Sequence, residues 1–261
     1  MTIASKVYKT EAIVLRYRDM GEADRLVTIH TPFMGKFTAI AKGVRRTKSR
    51  LAGHVEPLSY SSMMLAKGQN LDIITQSQTI ESFLPLRQDL WRTTCGLYAA
   101  ELVERFTPEH AEHYAVFRLL LDTLHRLAEE DKNELVLRYF EVQLLGILGY
   151  RPELYRCVKC RAALQPVVNY FGAGEGGALC PQCAEPWAKR LSVSALKVLR
   201  HLQRGSWEEV RRLNLTGDPA QEVESLLRDY IRYLLERDIN AAGLMDTLRR
   251  EQVAGLDTSA S

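Results

Sequence analysis

The chain has 261 residues, of which 46% are hydrophobic and 26% charged, with a formal net charge of +3. This is the make-up of a water-soluble globular protein with one large or two to three small domains. No apolar run approaches the length that a bilayer span needs, and residues 1–20 lack a charged segment followed by an apolar block and a cleavage site, so a cytoplasmic protein with no membrane partner is expected.

Residues 1–80 read as a first, β-rich domain. Strand signals fall at 12–17, 26–31, 36–41, 59–66 and 71–77, separated by the turn signals Met20-Gly21, Pro32, Met34-Gly35, Gly53 and Lys67-Gly68. Five short strands can close a small barrel. An OB-fold, which takes oligonucleotides on one face and its loops, fits this pattern, and an SH3-like barrel fits it nearly as well.

Between Arg25 and Val55 the chain carries Arg25, Lys36, Lys42, Arg45, Arg46, Lys48 and Arg50, and no Asp or Glu. Set against the whole-chain net of +3, these seven charges leave the other 230 residues at −4. The basicity is local. Gly43 lets the third strand turn into a loop with Thr47 and Ser49 between the cations, and such hydroxyls add neutral donors toward phosphate oxygens. A merely solvated loop usually mixes both charge signs, so the expected DNA-binding residues are Lys36, Lys42, Arg45, Arg46, Lys48 and Arg50. Phe33, Phe37 and Tyr60 are candidates for base stacking, although strand spacing suits core packing better for at least two of them. His30 and His54 flank the segment, where phosphate contact or plain exposure is expected rather than catalysis.

After Pro85 the period becomes helical. Trp91, Cys95, Tyr98 and Leu102 share one face, as do Phe117, Leu120, Leu121, Leu124 and Leu127, then Leu135, Tyr139, Val142 and Leu145. Gly146, Gly149 and Pro152 close the third helix. Cys95 lies on its apolar stripe and reads as core.

Cys157, Cys160, Cys180 and Cys183 follow with the spacing C-x2-C-x19-C-x2-C. Each pair can fold as a knuckle, and four thiolates make a closed tetrahedral zinc site with no position for a catalytic water. Structural zinc is therefore expected in a module at 156–186, with a strand at 167–171. Two redox dithiols would need a helix start in a βαβ pattern, which neither pair has. Gly172-Ala173-Gly174-Glu175-Gly176-Gly177 matches G-x-G-x-x-G, but it runs straight into Cys180 and reads as a hairpin tip instead of a dinucleotide site.

Helical pattern resumes at 192–202, 207–213 and 219–238, with Asp218 as a plausible N-cap before Pro219 and an apolar face of Val223, Leu226, Leu227, Tyr230, Ile231, Leu234 and Leu235. The cysteine module is thus an expected insertion in one helical domain made of 81–155 and 187–250. Residues 251–261 are expected to be a disordered tail.

The segments Ala12-Ile13-Val14-Leu15, Glu22-Ala23-Asp24, 31–35, Ala41-Lys42-Gly43, Lys48-Ser49-Arg50 and Glu56-Pro57 precede the helical middle. Leu148-Gly149-Tyr150 and the four cysteines follow it. In this order and spacing the chain resembles the RecO family of bacterial recombination and repair mediators along essentially its whole length. The resemblance implies an α+β multidomain protein with an N-terminal five-stranded OB-fold barrel, an α-helical bundle domain and an inserted four-cysteine zinc module. It also implies binding to single- and double-stranded DNA, annealing of complementary strands, and work with RecR to place recombinase on DNA coated by single-strand binding protein, in the cytoplasm at the nucleoid.

No enzyme is expected, because the chain has no G-x-x-x-x-G-K-[ST] and no H-E-x-x-H. Annealing needs none: a cationic surface displaces counterions and holds two polyanions together. Two other readings compete. One is a protein–protein adaptor in a repair complex with incidental DNA contact; the other, weaker, is a metal-dependent nuclease built on Glu22 and Asp24.

Overall fold

Five strands open the chain: β1 (Val7–Met20), β2 (Asp24–Thr31), β3 (Gly35–Ala41), β4 (Tyr60–Ala66) and β5 (Asp72–Glu81). Each overlaps an expected segment, with ends shifted by no more than five residues. The computed structural model describes residues 7–236 and 240–258, so residues 1–6 and the expected helix end at 238 lie outside the described residues.

β1 pairs antiparallel with both β2 and β4, and β3 meets β5 in parallel at Ala39–Asp72 and Ile40–Ile73. The five-stranded sheet therefore closes on itself in the order β1-β2-β3-β5-β4. β1 serves two partners because it is long. Its first half, Val7 to Ile13, lies on β4, and from Ile13 onward it lies on β2, with a shift in register between Val14 and Arg16 that bends the strand. Alternate residues point inward: Val27 and Ile29, Phe37, Ala39 and Ala41, Met63 and Leu65 form the core with Ala12, Val14 and Ile74. A slip of one residue in any of these strands would turn that set outward, which is what fixes the register.

Gly35 opens β3 with φ +64, and a Cβ there would stand 1.8 Å from the Ala111 carbonyl oxygen. Only glycine fits. Thr31 Oγ1 ties the same turn, accepting from Met34 N at 3.2 Å and donating to Gly35 O at 3.0 Å.

Helices α1 (Leu84–Gln88), α2 (Leu90–Phe106) and α3 (Tyr114–Glu129) follow. Asp89 caps α2 by accepting from Arg92 N at 3.0 Å. α2 buries Cys95, as expected of a core cysteine, together with Tyr98, Ala99, Leu102 and Val103, while α3 buries Phe117, Leu120, Leu124 and Leu127. Contacts group these helices with the sheet, in a first unit that ends at 130 and takes up the chain again at 240.

The second unit, between those limits, contains α4 (Asn133–Ile147), β6 (Asn169–Gly172), β7 (Gly177–Leu179), β8 (Lys189–Leu191), α5 (Val193–Arg204), α6 (Trp207–Val210) and α7 (Asp218–Leu235). The short strands form an antiparallel sheet in the order β7-β6-β8. The turn between β6 and β7 holds the glycine-rich stretch, which is the expected hairpin tip. α7 departs from expectation at its start. Gly217, with φ 65 and ψ −151, takes the N-cap position, and Asp218 sits in the first turn, where its carboxylate faces the positive helix end.

A last helix, α8 (Asn240–Thr258), belongs to the first unit, with Met245 buried and Ala241 N donating to Glu101 Oε2 of α2 at 2.8 Å. The tail expected to be disordered from 251 instead continues α8 to 258; residues 259–261 lie outside the described residues. Whereas periodicity groups 81–155 with 187–250, the contacts group α1–α3 and α8 with the first sheet and α4–α7 with the cysteine strands. Periodicity shows that a helix has an apolar face, not which neighbour covers it. No described helix is long and apolar enough to cross a membrane.

Candidate nucleic-acid interface and cysteine cluster

The cationic loop leaves β3 at Ala41 and is pinned from within. Gly43 turns the chain at φ +63 and donates its N–H to Asp24 Oδ1 at 2.7 Å, while Arg45 N donates to Ala23 O at 2.9 Å. Val44 and Val55 are 1% and 0% exposed and anchor the two ends in the barrel core, with Leu51 and Ala52 packed beside them. Apolar residues therefore hold the inner side, which turns the polar ones outward. Lys42, Arg45, Arg46, Lys48 and Arg50 are all exposed.

Of these five, Lys42, Arg46, Lys48 and Arg50 make no ion pair among the described residues. Arg45 reaches back over the β1–β2 turn, donating to Gly21 O at 3.0 Å, with Asp19 Oδ2 at 3.5 Å. Two other members of the acid-free segment are engaged elsewhere. Arg25 lies 3.7 Å over the Tyr17 ring and pairs with Asp19 at 3.1 Å and Glu56 at 2.9 Å. Lys36 stands apart from the loop at the opposite end of β3, half-buried, and donates to the Glu104 carbonyl in the last turn of α2. Burial draws its pKa below the usual lysine value, against the opposing pull of Glu104 and Glu109. The structure brings together five of the six expected residues.

A window scan along the sequence misses these partners because Asp19 and Glu56 lie outside the acid-free window. A hairpin signal was present: the Met20-Gly21 turn places Asp19 opposite Arg25 in the β1–β2 register.

In the second unit the four cysteine sulfurs lie within 4.8 Å of one another, and Cys160 Sγ is 3.7 Å from Cys180 Sγ. The first knuckle closes through Cys157 N to Ala162 O at 2.8 Å and Arg161 N to Cys157 O at 2.9 Å, with Arg161 at φ 64; the second closes through Cys183 N to Cys180 O at 3.0 Å. Burial raises the pKa of Cys157, yet backbone N–H donors from Cys180, Cys160 and Lys159 outweigh it and bring the thiol to about 6. Cys183, hydrogen-bonded to Cys180, is pushed up to about 12. β7 supports the first knuckle from behind. Val158 N donates to Ala178 O at 3.0 Å, and Gly177 passes so near Glu153 that a Cβ would meet its carbonyl oxygen at 2.5 Å.

A metal held by four sulfurs at about 2.3 Å, the Zn–S length, has sulfurs about 3.8 Å apart at tetrahedral angles. The Cys160–Cys180 separation matches that edge, and the donor set is all-thiolate, so these residues fit a structural metal ion.

Two family models match the chain: Recombination protein O N terminal over residues 4–83 and Recombination protein O C terminal over residues 87–242. The chain belongs to the RecO family. Relatives each called DNA repair protein RecO support this over nearly full length. The protein of Roseiflexus sp. (strain RS-1) is 46% identical over 94% of this chain and 87% of its own. That of Dehalococcoides mccartyi (strain CBDB1) is 42% identical over 93% and 96%, and that of Symbiobacterium thermophilum 38% identical over 93% and 98%. The N-terminal RecO model spans the closed sheet, and the C-terminal one takes in α2, α3 and the cysteine cluster.

Proposed function

We propose that this RecO-family protein is a DNA-binding recombination mediator of DNA repair. On this reading it binds single- and double-stranded DNA, anneals complementary strands, and works with RecR and single-strand binding protein to load recombinase in the bacterial cytoplasm, at the nucleoid. The observation that carries the reading is the pinned loop. Four exposed cations without ion pairs among the described residues, and a fifth only partly neutralised, stand on a segment whose backbone is already held by Val44 and Val55. A polyanion bound there displaces its condensed counterions without first ordering the loop.

The order β1-β2-β3-β5-β4, closed on itself, supports an OB-fold, a barrel that receives oligonucleotides on its strands and connecting loops. Phosphate contacts fall to Lys42, Arg45, Arg46, Lys48 and Arg50. They carry no base information, so preference among sequences is slight. In the second unit Cys157, Cys160, Cys180 and Cys183 hold zinc, which supplies folding energy to a module with little core of its own. No bond is made or broken in this function.

The test is anisotropy of a labelled single strand across a salt series. With five phosphates neutralised, log affinity falls against log salt with a slope of about −3.5, taking about −0.7 per contact. Reversing charge at Lys42, Arg46 and Lys48 flattens the slope and weakens binding without lowering the melting temperature. An affinity indifferent to these reversals sinks the loop assignment and shifts the weight to an adaptor role.

A further inference from the structure

Away from the loop, the first unit has an open groove of about 610 Å³, bordered by Lys9, Phe33, Tyr60, Ile80, Tyr114 and Arg118. Phe33 is 65% exposed and Tyr114 50% exposed, and their rings stack 5.7 Å apart at 12°. Phe33 is not a loose side chain. It rides the turn locked by Thr31 and by Gly35 against Ala111, so the protein holds a bare aromatic face in water at a fixed place. The polar groups nearby are largely balanced: Tyr60 donates to Glu11 at 2.5 Å, and Arg118 pairs with Asp122 at 3.1 Å. Lys9, on the rim, makes no ion pair among the described residues.

We propose that this groove is a stacking site for the unpaired bases of a single-stranded nucleic acid, separate from the cationic loop; the proposal rests on the DNA-binding reading above. Two parallel ring faces suit the π-face that every base carries, and Lys9 is placed to meet a phosphate. β4, which borders the groove, is paired on both of its edges, with β1 and with β5, so an extended peptide cannot add a strand to it. Continuity with the loop is the further argument. Phe33 lies just before β3 and Lys42 just after it, so the two sites are roughly 20–25 Å apart at about 3.4 Å per residue. A stacked strand covers that distance in some six or seven nucleotides at about 3.4 Å each, within the roughly 4–16 that one OB-fold takes. The loop would hold phosphates in a salt-dependent way; the groove would hold bases and distinguish single strands from duplexes.

The full chain is tested by anisotropy on an oligothymidine and on an abasic strand of equal length. The wild type should bind the base-bearing strand about tenfold more tightly, and only for strands longer than about six nucleotides. Phe33→Ala with Tyr114→Ala should erase that preference and leave the abasic affinity unchanged. Phe33→Leu with Tyr114→Leu should erase it too, whereas Phe33→Trp, with Tyr114 kept, should preserve it. The proposal is overturned by a double alanine variant of unchanged melting temperature that keeps the preference. A leucine pair that keeps it, or a loss confined to binding of a repair-protein partner, also overturns it. Silence of the loop charge reversals with the base preference intact sinks only the loop assignment. A wild type that binds neither strand sinks the DNA-binding reading and this one together.

Discussion

Lys36 and Lys42 mark the two ends of one seven-residue strand, yet only the second faces solvent. The first closes the C-terminal turn of α2, where a lysine can satisfy an orphan carbonyl. Lys36→Met should therefore cost about 1–3 kcal/mol of stability in urea unfolding and leave the salt slope of DNA binding unchanged. Lys42→Met should do the reverse. His30 offers a second test at this scale. Its ring is fully buried, both nitrogens lack a hydrogen-bond partner among the described residues, and burial, with the positive charges of His113 and Lys36, lowers its pKa to about 4. The unfolded chain has its histidine near 6.5 and takes up a proton that the folded chain refuses. Stability is thus full above about pH 6.5 and falls as pH drops toward 4, by up to roughly 3 kcal/mol from this residue. His30→Phe should remove that part of the decline, read as the difference between denaturant midpoints at pH 4.5 and 7 in the two proteins.

At the scale of elements, the cysteine knuckles depend on each other through β7. Cys157→Ser or Cys183→Ser should release the metal, and chelation of the wild type should melt the 156–186 module, seen as lost ellipticity and a shift in Trp187 emission. A protein that purifies without metal yet keeps that module folded would refute the site. Gly177→Ala should weaken the same module by about 1–3 kcal/mol even with metal present, because Glu153 backbone occupies the space a methyl needs. These elements were largely legible in advance. Period-two alternation marked β3, turn signals bounded the other four strands of the closed sheet, and Cys-x-x-Cys spacing marked both knuckles. The three-residue strands β7 and β8 were not legible, since three residues carry no period. Nor was the fate of Lys36 or the exposure of Phe33: each depends on the 104–114 stretch, some seventy residues further along the chain.

At the scale of the molecule, helical faces were visible but their grouping was not. α2 buries residues around much of its circumference, Thr94 through Ala100 almost without a break, because α1, α3 and α8 all pack on it. A helix surrounded in this way gives little periodic signal. α8 comes from the other end of the chain, across a sequence separation that no local pattern spans. Charge is distributed as unevenly as the helices. A net of +3 conceals a basic segment on an otherwise acidic chain, so bulk pI says little about what the protein attracts.

Anchoring both ends of the cationic loop confines like charges that an unfolded chain would let drift apart. The folded protein is under electrostatic pressure, which dissolved ions or a bound polyanion relieve. Its melting temperature should therefore climb when salt is raised from about 0.01 M, where charges are felt over some 30 Å, toward 0.15 M, where they are felt over some 8 Å. The same salt should loosen its hold on DNA. Lys48→Ala should flatten both trends, so that the cations which draw in a nucleic acid are also a tension the native state carries until one arrives.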